Sequence, residues 1–255
     1  MTAALSPEQT EAYWRDGYVN RLVALSPDEA QAQLAAFEAI EAEAVAAHGG
    51  EWKQRDYRPW EHADHPFREW IDGLVRHPRV LDFVESILGP DILIRNADVF
   101  VKNPGIRRGI NWHVDTAEKG PDADKLLTVW LGLTESTDEN GGLHYAATSH
   151  RQIMPDAPKD KFNLTLSPTA VAALDRSQEV INVMEAGMMS MHHFSLVHAS
   201  GPNRTPRRRV GFVGRYMAPA IRQATAESGV ATLLRGRDTF GHFALKDRFP
   251  MTWTM

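Results

Sequence analysis

Cysteine is absent from the 255 residues. That absence excludes disulfides, iron–sulfur clusters, thiol nucleophiles and zinc–thiolate sites, so any metal must sit on imidazole and oxygen ligands. No run of about 18 apolar residues occurs, which argues against a membrane-spanning helix. The N-terminus lacks the basic-then-apolar order of a secretion signal, and the expectation is a cytoplasmic protein without a membrane partner. A basic excess is missing as well: the net charge is −5, which disfavours nucleic acid as a partner. Internal repeats, low-complexity tracts and a convincing linker are not found. What remains is ordinary globular composition, 43% hydrophobic, enough for a sizeable core. One domain over residues 1–255 is expected, and nothing speaks to oligomeric state.

The first part reads as helical. Ser6-Pro7-Glu8-Gln9 is a capping-box start with proline at the first helical position, and Gly17 is a plausible stop. Ser26-Pro27-Asp28-Glu29 repeats the signature before an Ala/Glu-rich stretch running to about Ala47. Residues 66–88 give a further helical pattern that Gly89-Pro90 closes. Beyond it the texture changes. Segments 92–101, 126–133, 143–145, 179–184, 188–194 and 208–217 are short strand-like runs bounded by Gly, Pro, Asn or Asp, with a helical turn expected over 167–174. The pattern predicts a mainly β core over 91–218, a mostly helical jacket over 1–90 and a C-terminal extension over 219–255.

The chemistry concentrates in Asn111-Trp112-His113-Val114-Asp115 and, much later, His198. Residues two apart on a strand share a face, so His113 and Asp115 are placed to bind one ion from adjacent inward positions. A third ligand from a distant strand completes a two-histidine, one-carboxylate triad, which leaves coordination positions open for co-substrate and dioxygen. Taken alone, a His-x-Asp is a common chance pattern. The adjacent His192-His193 cannot chelate one ion, because neighbours on a strand face opposite ways; at most one of them lines a pocket.

The motifs around this pair carry a resemblance. Trp112-His113-Val114-Asp115, the run around Trp130, Glu139-Asn140-Gly141-Gly142-Leu143, Ser149-His150, Leu196 to Asn203, and Arg208 to Phe212 keep one order and spacing, with Asp16-Gly17-Tyr18 upstream. Together they resemble the phytanoyl-CoA dioxygenase family, a branch of the 2-oxoglutarate oxygenases. The resemblance implies a double-stranded β-helix, jelly-roll or cupin-like, with flanking α-helices. It implies Fe(II) on His113, Asp115 and His198, with 2-oxoglutarate and O2 as co-substrates, and hydroxylation at an unactivated carbon. Arg209, eleven residues beyond His198, falls where the family places the arginine that grips the far carboxylate of 2-oxoglutarate. A guanidinium gives a planar two-point grip that lysine cannot reproduce. Ser200, Trp130 and Thr128 are further expected co-substrate contacts, though Ser200 and Trp130 equally suit packing. Gly211 and Val213 share the face of Arg209 and are small enough to leave room for a ligand; Arg207 and Arg208 also read as solvated turn charges. At Ala146-Ala147-Thr148 many family members show Pro-Gly, so the geometry of that turn is open. His150 reads equally as a structural histidine.

Substrate contacts are expected from Asn111, which a regular strand puts on the face of His113, from Asn96, Asp98 and Lys102 on the preceding strand, and from Arg215. An aromatic and charged segment, 51–60, with Tyr57, suits a lid or a wall for an ammonium group as well as it suits simple packing. The polar face suits a pocket for a small polar molecule better than a long acyl chain, and suits the exposed side of an edge strand equally well. An amino- or trimethylammonio-alkylphosphonate leads, with an ectoine-like amino acid or a natural product as the alternative. A silent ligand-binding β-helix, which has no reason to keep all three ligands together with Arg209, and a zinc hydrolase, which needs no carboxylate clamp, are the rivals.

Overall fold

The computed structural model describes residues 4–47, 65–105, 107–115, 120–152, 165–222 and 229–254. Helix α1 (Pro7–Asp16) starts at the predicted capping box, with Ser6 Oγ accepting from Gln9 N–H and Gln9 Oε1 accepting from Ser6 N–H. It stops at Gly17, whose φ is 86°. A Cβ there would lie 2.5 Å from His150 Nδ1 and 2.8 Å from Leu196, so both conformation and space demand glycine. Strand β1 (Tyr18–Val23) follows, then α2 (Pro27–Ala47), α3 (Pro66–Val75) and α4 (Pro78–Leu88). The single helical pattern over 66–88 is thus two helices. Pro78 holds His77 extended, at ψ 126°, and opens the second helix.

Each of the six predicted strand runs forms a strand: β2 (Ile92–Lys102), β4 (Leu126–Gly132), β5 (Leu143–Ala146), β6 (Glu179–Ile181), β7 (Met188–His193) and β9 (Arg209–Met217). The metal motifs supply β3 (Ile110–His113) and β8 (His198–Ser200), and the expected turn over 167–174 is helix α5 (Pro168–Ala172). Two regions differ from expectation. β1 lies inside the jacket and pairs antiparallel with β7, and the C-terminal extension adds β10 (Val230–Arg235), β11 (Ala244–Leu245) and β12 (Met251–Thr254).

The large sheet runs β1-β7-β4-β9-β2-β10-β11, with β12 also on β2; the small sheet runs β3-β8-β5-β6. Period-2 alternation divides the large sheet into two faces. Leu127, Val129, Leu131, Met189, Met191, Val210, Phe212 and Tyr216 form one cluster with Phe67, Ile71, Leu74, Val80 and Val84 of the helices. Each such fully buried side chain contributes about 1.5–3 kcal/mol, so the helices are held by the sheet's outer face. The inner-face residues alternate with these and meet the small sheet across a pocket. This is the double-stranded β-helix with a helical jacket that the sequence predicts.

Candidate metal centre

The register puts one residue from each central strand into a single transverse row. Thr128 on β4 is opposite His192 on β7 and Arg215 on β9. Facing this row, the small sheet sets His113 opposite His198 and His198 opposite Tyr145. His113, Asp115 and His198 each bring one ligand atom within 4.8 Å of the others.

Their surroundings fit a divalent ion. His113 Nδ1 donates to the Asn111 carbonyl at 2.8 Å, and His198 Nδ1 donates to the Leu196 carbonyl at 2.9 Å. These bonds fix the tautomer and leave Nε2 of each ring with its lone pair free. Burial pushes both imidazoles down, His198 well below its ordinary value with the neighbouring His113 adding to the effect. Burial alone would push the Asp115 carboxyl up, but the Arg215 guanidinium and then His192 hold it well below the usual range. Two neutral imidazoles and one carboxylate are the protonation states a metal requires.

Asp115 is not a strand residue. β3 ends at His113, and Asp115 is held by its own N–H donating to the Phe194 carbonyl at 2.9 Å. Thr128 Oγ1 donates to Oδ2 at 2.6 Å, His192 Nε2 lies 3.3 Å from the same oxygen, and Arg215 Nη2 is 3.7 Å from Oδ1.

The walls of the pocket include Phe100, Leu143, Val213, Thr128, Trp130 and Ser200 besides the triad. At its far end Arg209 is 1% exposed. Its Nη1 donates to the Gly141 carbonyl at 2.7 Å, its guanidinium lies 5.2 Å from the Trp130 ring, and its Nε is buried without a partner. Among the described residues no carboxylate pairs with it. Burial pushes it down to about 10, so it stays charged at neutral pH. Lys102, directly opposite Arg209 in register, donates to Ser200 Oγ at 2.7 Å and to the Gly141 and Gly201 carbonyls. Burial, and then Arg209, push it down to about 7.

The predicted residues therefore separate. His113, Asp115, His198, Thr128, Trp130, Ser200, Arg209 and Arg215 all line the pocket. Lys102 sits at the Arg209 end, against Ser200. Asp98 is buried behind the wall in an ion pair with Arg215, and Asn96 is opposite Arg215 in register. Asn111 is exposed. A bulge between Ile110 and His113 shifts the alternation by one residue, so Ile110 takes the inward position that a regular strand gives Asn111. The room over Gly211 is filled by protein: a Cβ there would lie 2.3 Å from the Trp130 indole. Arg207 pairs with Glu135, and Arg208 makes a two-point bond to Glu41 of α2 rather than a turn charge in solvent. His150 Nε2 lies 3.3 Å from the Trp14 carbonyl in a structural setting. Tyr57 and segment 51–60 lie outside the described residues.

His192 is the residue that the motifs alone do not place. It lines the pocket, whereas His193 turns away to Asp124 at 3.1 Å, as the alternation of adjacent strand positions requires.

Comparison with known proteins agrees with this geometry. The sequence profile of the phytanoyl-CoA dioxygenase family matches residues 13–211. A "probable alpha-ketoglutarate-dependent hypophosphite dioxygenase" of Stutzerimonas stutzeri is 29% identical over 161 residues, 61% of this chain and 56% of that protein. An ectoine dioxygenase of Streptomyces anulatus is 32% identical over 162 residues, 57% of this chain and 54% of the relative. The chain thus spans little more than half the length of these curated relatives. The solved structure of the non-haem monooxygenase ThoJ is 31% identical with a TM-score of 0.75, covering 95% of this chain and 88% of that one.

Proposed function

The chain belongs to the phytanoyl-CoA dioxygenase family, and from that membership and its pocket we propose that it is an Fe(II)- and 2-oxoglutarate-dependent dioxygenase that hydroxylates a small polar molecule. The observation that carries the reading is the pairing of a metal triad in its ligating protonation states with a buried arginine that has no carboxylate partner among the described residues.

His113, Asp115 and His198 would hold the iron. Iron(II) with bound 2-oxoglutarate supplies dioxygen activation and the oxidising equivalents for hydroxylating carbon. The protein's own groups do the rest. Arg209 grips the far carboxylate through the donors of its fork that the Gly141 carbonyl leaves free, with Lys102 and Ser200 beside it. Lys102 thereby serves the co-substrate rather than the substrate. Thr128 and Arg215 orient Asp115. Phe100, Leu143, Val213 and Trp130 exclude water from the site.

In the pocket wall Arg215 presents a guanidinium, its charge balanced by the buried Asp98 behind it. A guanidinium in the wall complements the oxyanion of an amino- or trimethylammonio-alkylphosphonate, which supports that substrate class; the phosphorus oxyanion in the name of the Stutzerimonas relative points the same way. An ectoine-like amino acid is the second reading, favoured by the Streptomyces relative. The site of action is taken to be the cytoplasm; among the described residues no helix is long and apolar enough to cross a membrane.

The test is oxygen consumption and succinate release with Fe(II) and 2-oxoglutarate, first without substrate and then across a panel of phosphonates, betaines and cyclic amino acids. Turnover that needs 2-oxoglutarate and disappears in His198→Ala supports the reading. Hydrolytic activity with Zn(II) and no need for 2-oxoglutarate would overturn it.

A further inference from the structure

The iron reading leaves one pocket imidazole without a task. His192 is 1% exposed, its Nε2 3.3 Å from Asp115 Oδ2 and its Nδ1 3.4 Å from the Tyr145 hydroxyl. It stands at the end of a buried polar chain. The Tyr145 hydroxyl lies 2.9 Å from Ser190 Oγ. Asn182 Nδ2 donates to Ser190 Oγ at 2.9 Å and to the Tyr145 hydroxyl at 3.3 Å, and Asn20 Nδ2 donates to Asn182 Oδ1 at 3.1 Å. Asn182, Ser190 and Tyr145 are each 0% exposed. Buried polar groups cost about 1–3 kcal/mol each when left unsatisfied, so such a chain persists only if its hydrogen bonds are complete.

The ends of the chain set its direction. An amide nitrogen can only donate and an ionised carboxylate can only accept. Every member is satisfied when Ser190 donates to Tyr145, Tyr145 donates to His192 Nδ1, and His192 Nε2–H donates to Asp115 Oδ2. The reverse tautomer would aim a lone pair at the carboxylate. Thr128, opposite His192 in register, donates to the same oxygen at 2.6 Å. Oδ2 therefore takes two donors, whereas Oδ1 faces Arg215 at 3.7 Å.

We propose that His192 is a positioning residue that, together with Thr128, occupies Oδ2 so that Asp115 meets the metal through Oδ1 alone. The inference rests on the iron reading above, and its consequence is a count of positions. Three protein atoms would leave coordination positions open for 2-oxoglutarate and dioxygen. A carboxylate bound through both oxygens would take the place dioxygen needs.

The test uses cobalt(II) as the probe, read by binding affinity and by the intensity of its visible absorption bands, with the melting temperature of each metal-free variant measured in parallel. His192→Phe removes the donor; cobalt(II) binding weakens about 10- to 100-fold, and the bands change intensity as the coordination changes. His192→Gln, whose amide can still donate, recovers most of the affinity. Tyr145→Phe, which deletes one hydroxyl and little packing, weakens binding in the same direction by a smaller factor, and it reports even if His192→Phe does not fold. Unchanged cobalt(II) affinity and bands in the folded variants, or a Gln variant as impaired as Phe, would overturn the proposal while leaving the iron reading intact. A parent protein that binds neither cobalt(II) nor iron(II) overturns both.

Discussion

The two ends of the pocket handle charge in opposite ways. At the metal end the single carboxylate of the triad is surrounded: Thr128 and His192 on one oxygen, Arg215 near the other, with Asp98 in turn balancing Arg215. At the other end Arg209 and Lys102 face each other in register, and among the described residues their company is carbonyls, a hydroxyl and an indole. Two buried cations side by side are unfavourable unless an anion joins them. The comparison teaches what each end accepts. One suits a cation held by neutral imidazoles, and the other suits a carboxylate.

The largest effect should come from breaking the metal end. His198→Ala removes a ligand and not merely a supporting bond, so its loss of metal affinity should exceed the 10–100-fold typical of an outer-shell change. Titration with cobalt(II) or iron(II) checks this, and tight binding in the variant would remove His198 from the triad. The cationic end comes next. Arg209→Lys keeps the charge but loses the two-point grip, worth about 1.5–3 kcal/mol, or roughly 10- to 100-fold in the 2-oxoglutarate requirement. Metal affinity should be unaffected. A variant in which metal affinity falls and the 2-oxoglutarate requirement does not would invert the comparison.

Lys102 offers a sharper probe through pH. Its folded value, about 7, lies below the ordinary 10.5, because burial and Arg209 disfavour the charge. The proton therefore prefers the unfolded chain, and the ligand-free protein should gain stability as pH climbs from about 7 toward 10.5. Ligand binding runs the other way. The carboxylate needs the ammonium, so 2-oxoglutarate affinity should be greatest below pH 7 and fall several-fold per unit above it. Calorimetric titration at a series of pH values checks both the direction and its flattening in Lys102→Met. A flat profile in the parent protein would separate Lys102 from the co-substrate.

How much of this was legible from sequence differs by residue. The triad and Arg209 were readable because their spacings survive as motifs and because alternation on β9 keeps Arg209, Gly211, Val213 and Arg215 on one face. Asn111 was misread since a bulge is invisible to a rule of strict alternation, and the single extra residue hands its place to Ile110. Gly211 was read as space for a ligand when it is space for Trp130, a cross-strand neighbour that no local pattern reveals. Lys102 had the right face, but its end of the pocket depends on register with β9. β1 escaped notice for a related reason: it is short, irregular between Val19 and Leu22, and owes its structure to distant β7.

A last variant should move neither end and so serves as the control. Thr148 occupies the turn where family members often carry glycine, and it adopts φ 67°, a left-handed conformation that is unfavourable for a β-branched residue. The turn is kept in place from both sides: Thr148 N–H donates to the Asp16 carbonyl at 2.8 Å, and Ser149 Oγ accepts from Val197 N–H at 2.9 Å, next to His198. Glycine relieves the strain at some cost in unfolded-chain entropy, so Thr148→Gly should stabilise the protein by about 1 kcal/mol. Thermal denaturation checks that figure. Metal and 2-oxoglutarate affinities should stay at parental values, because the turn contributes position to β8 and no charge to either end of the pocket. A change in either affinity would mean that the strain at Thr148 is transmitted to His198.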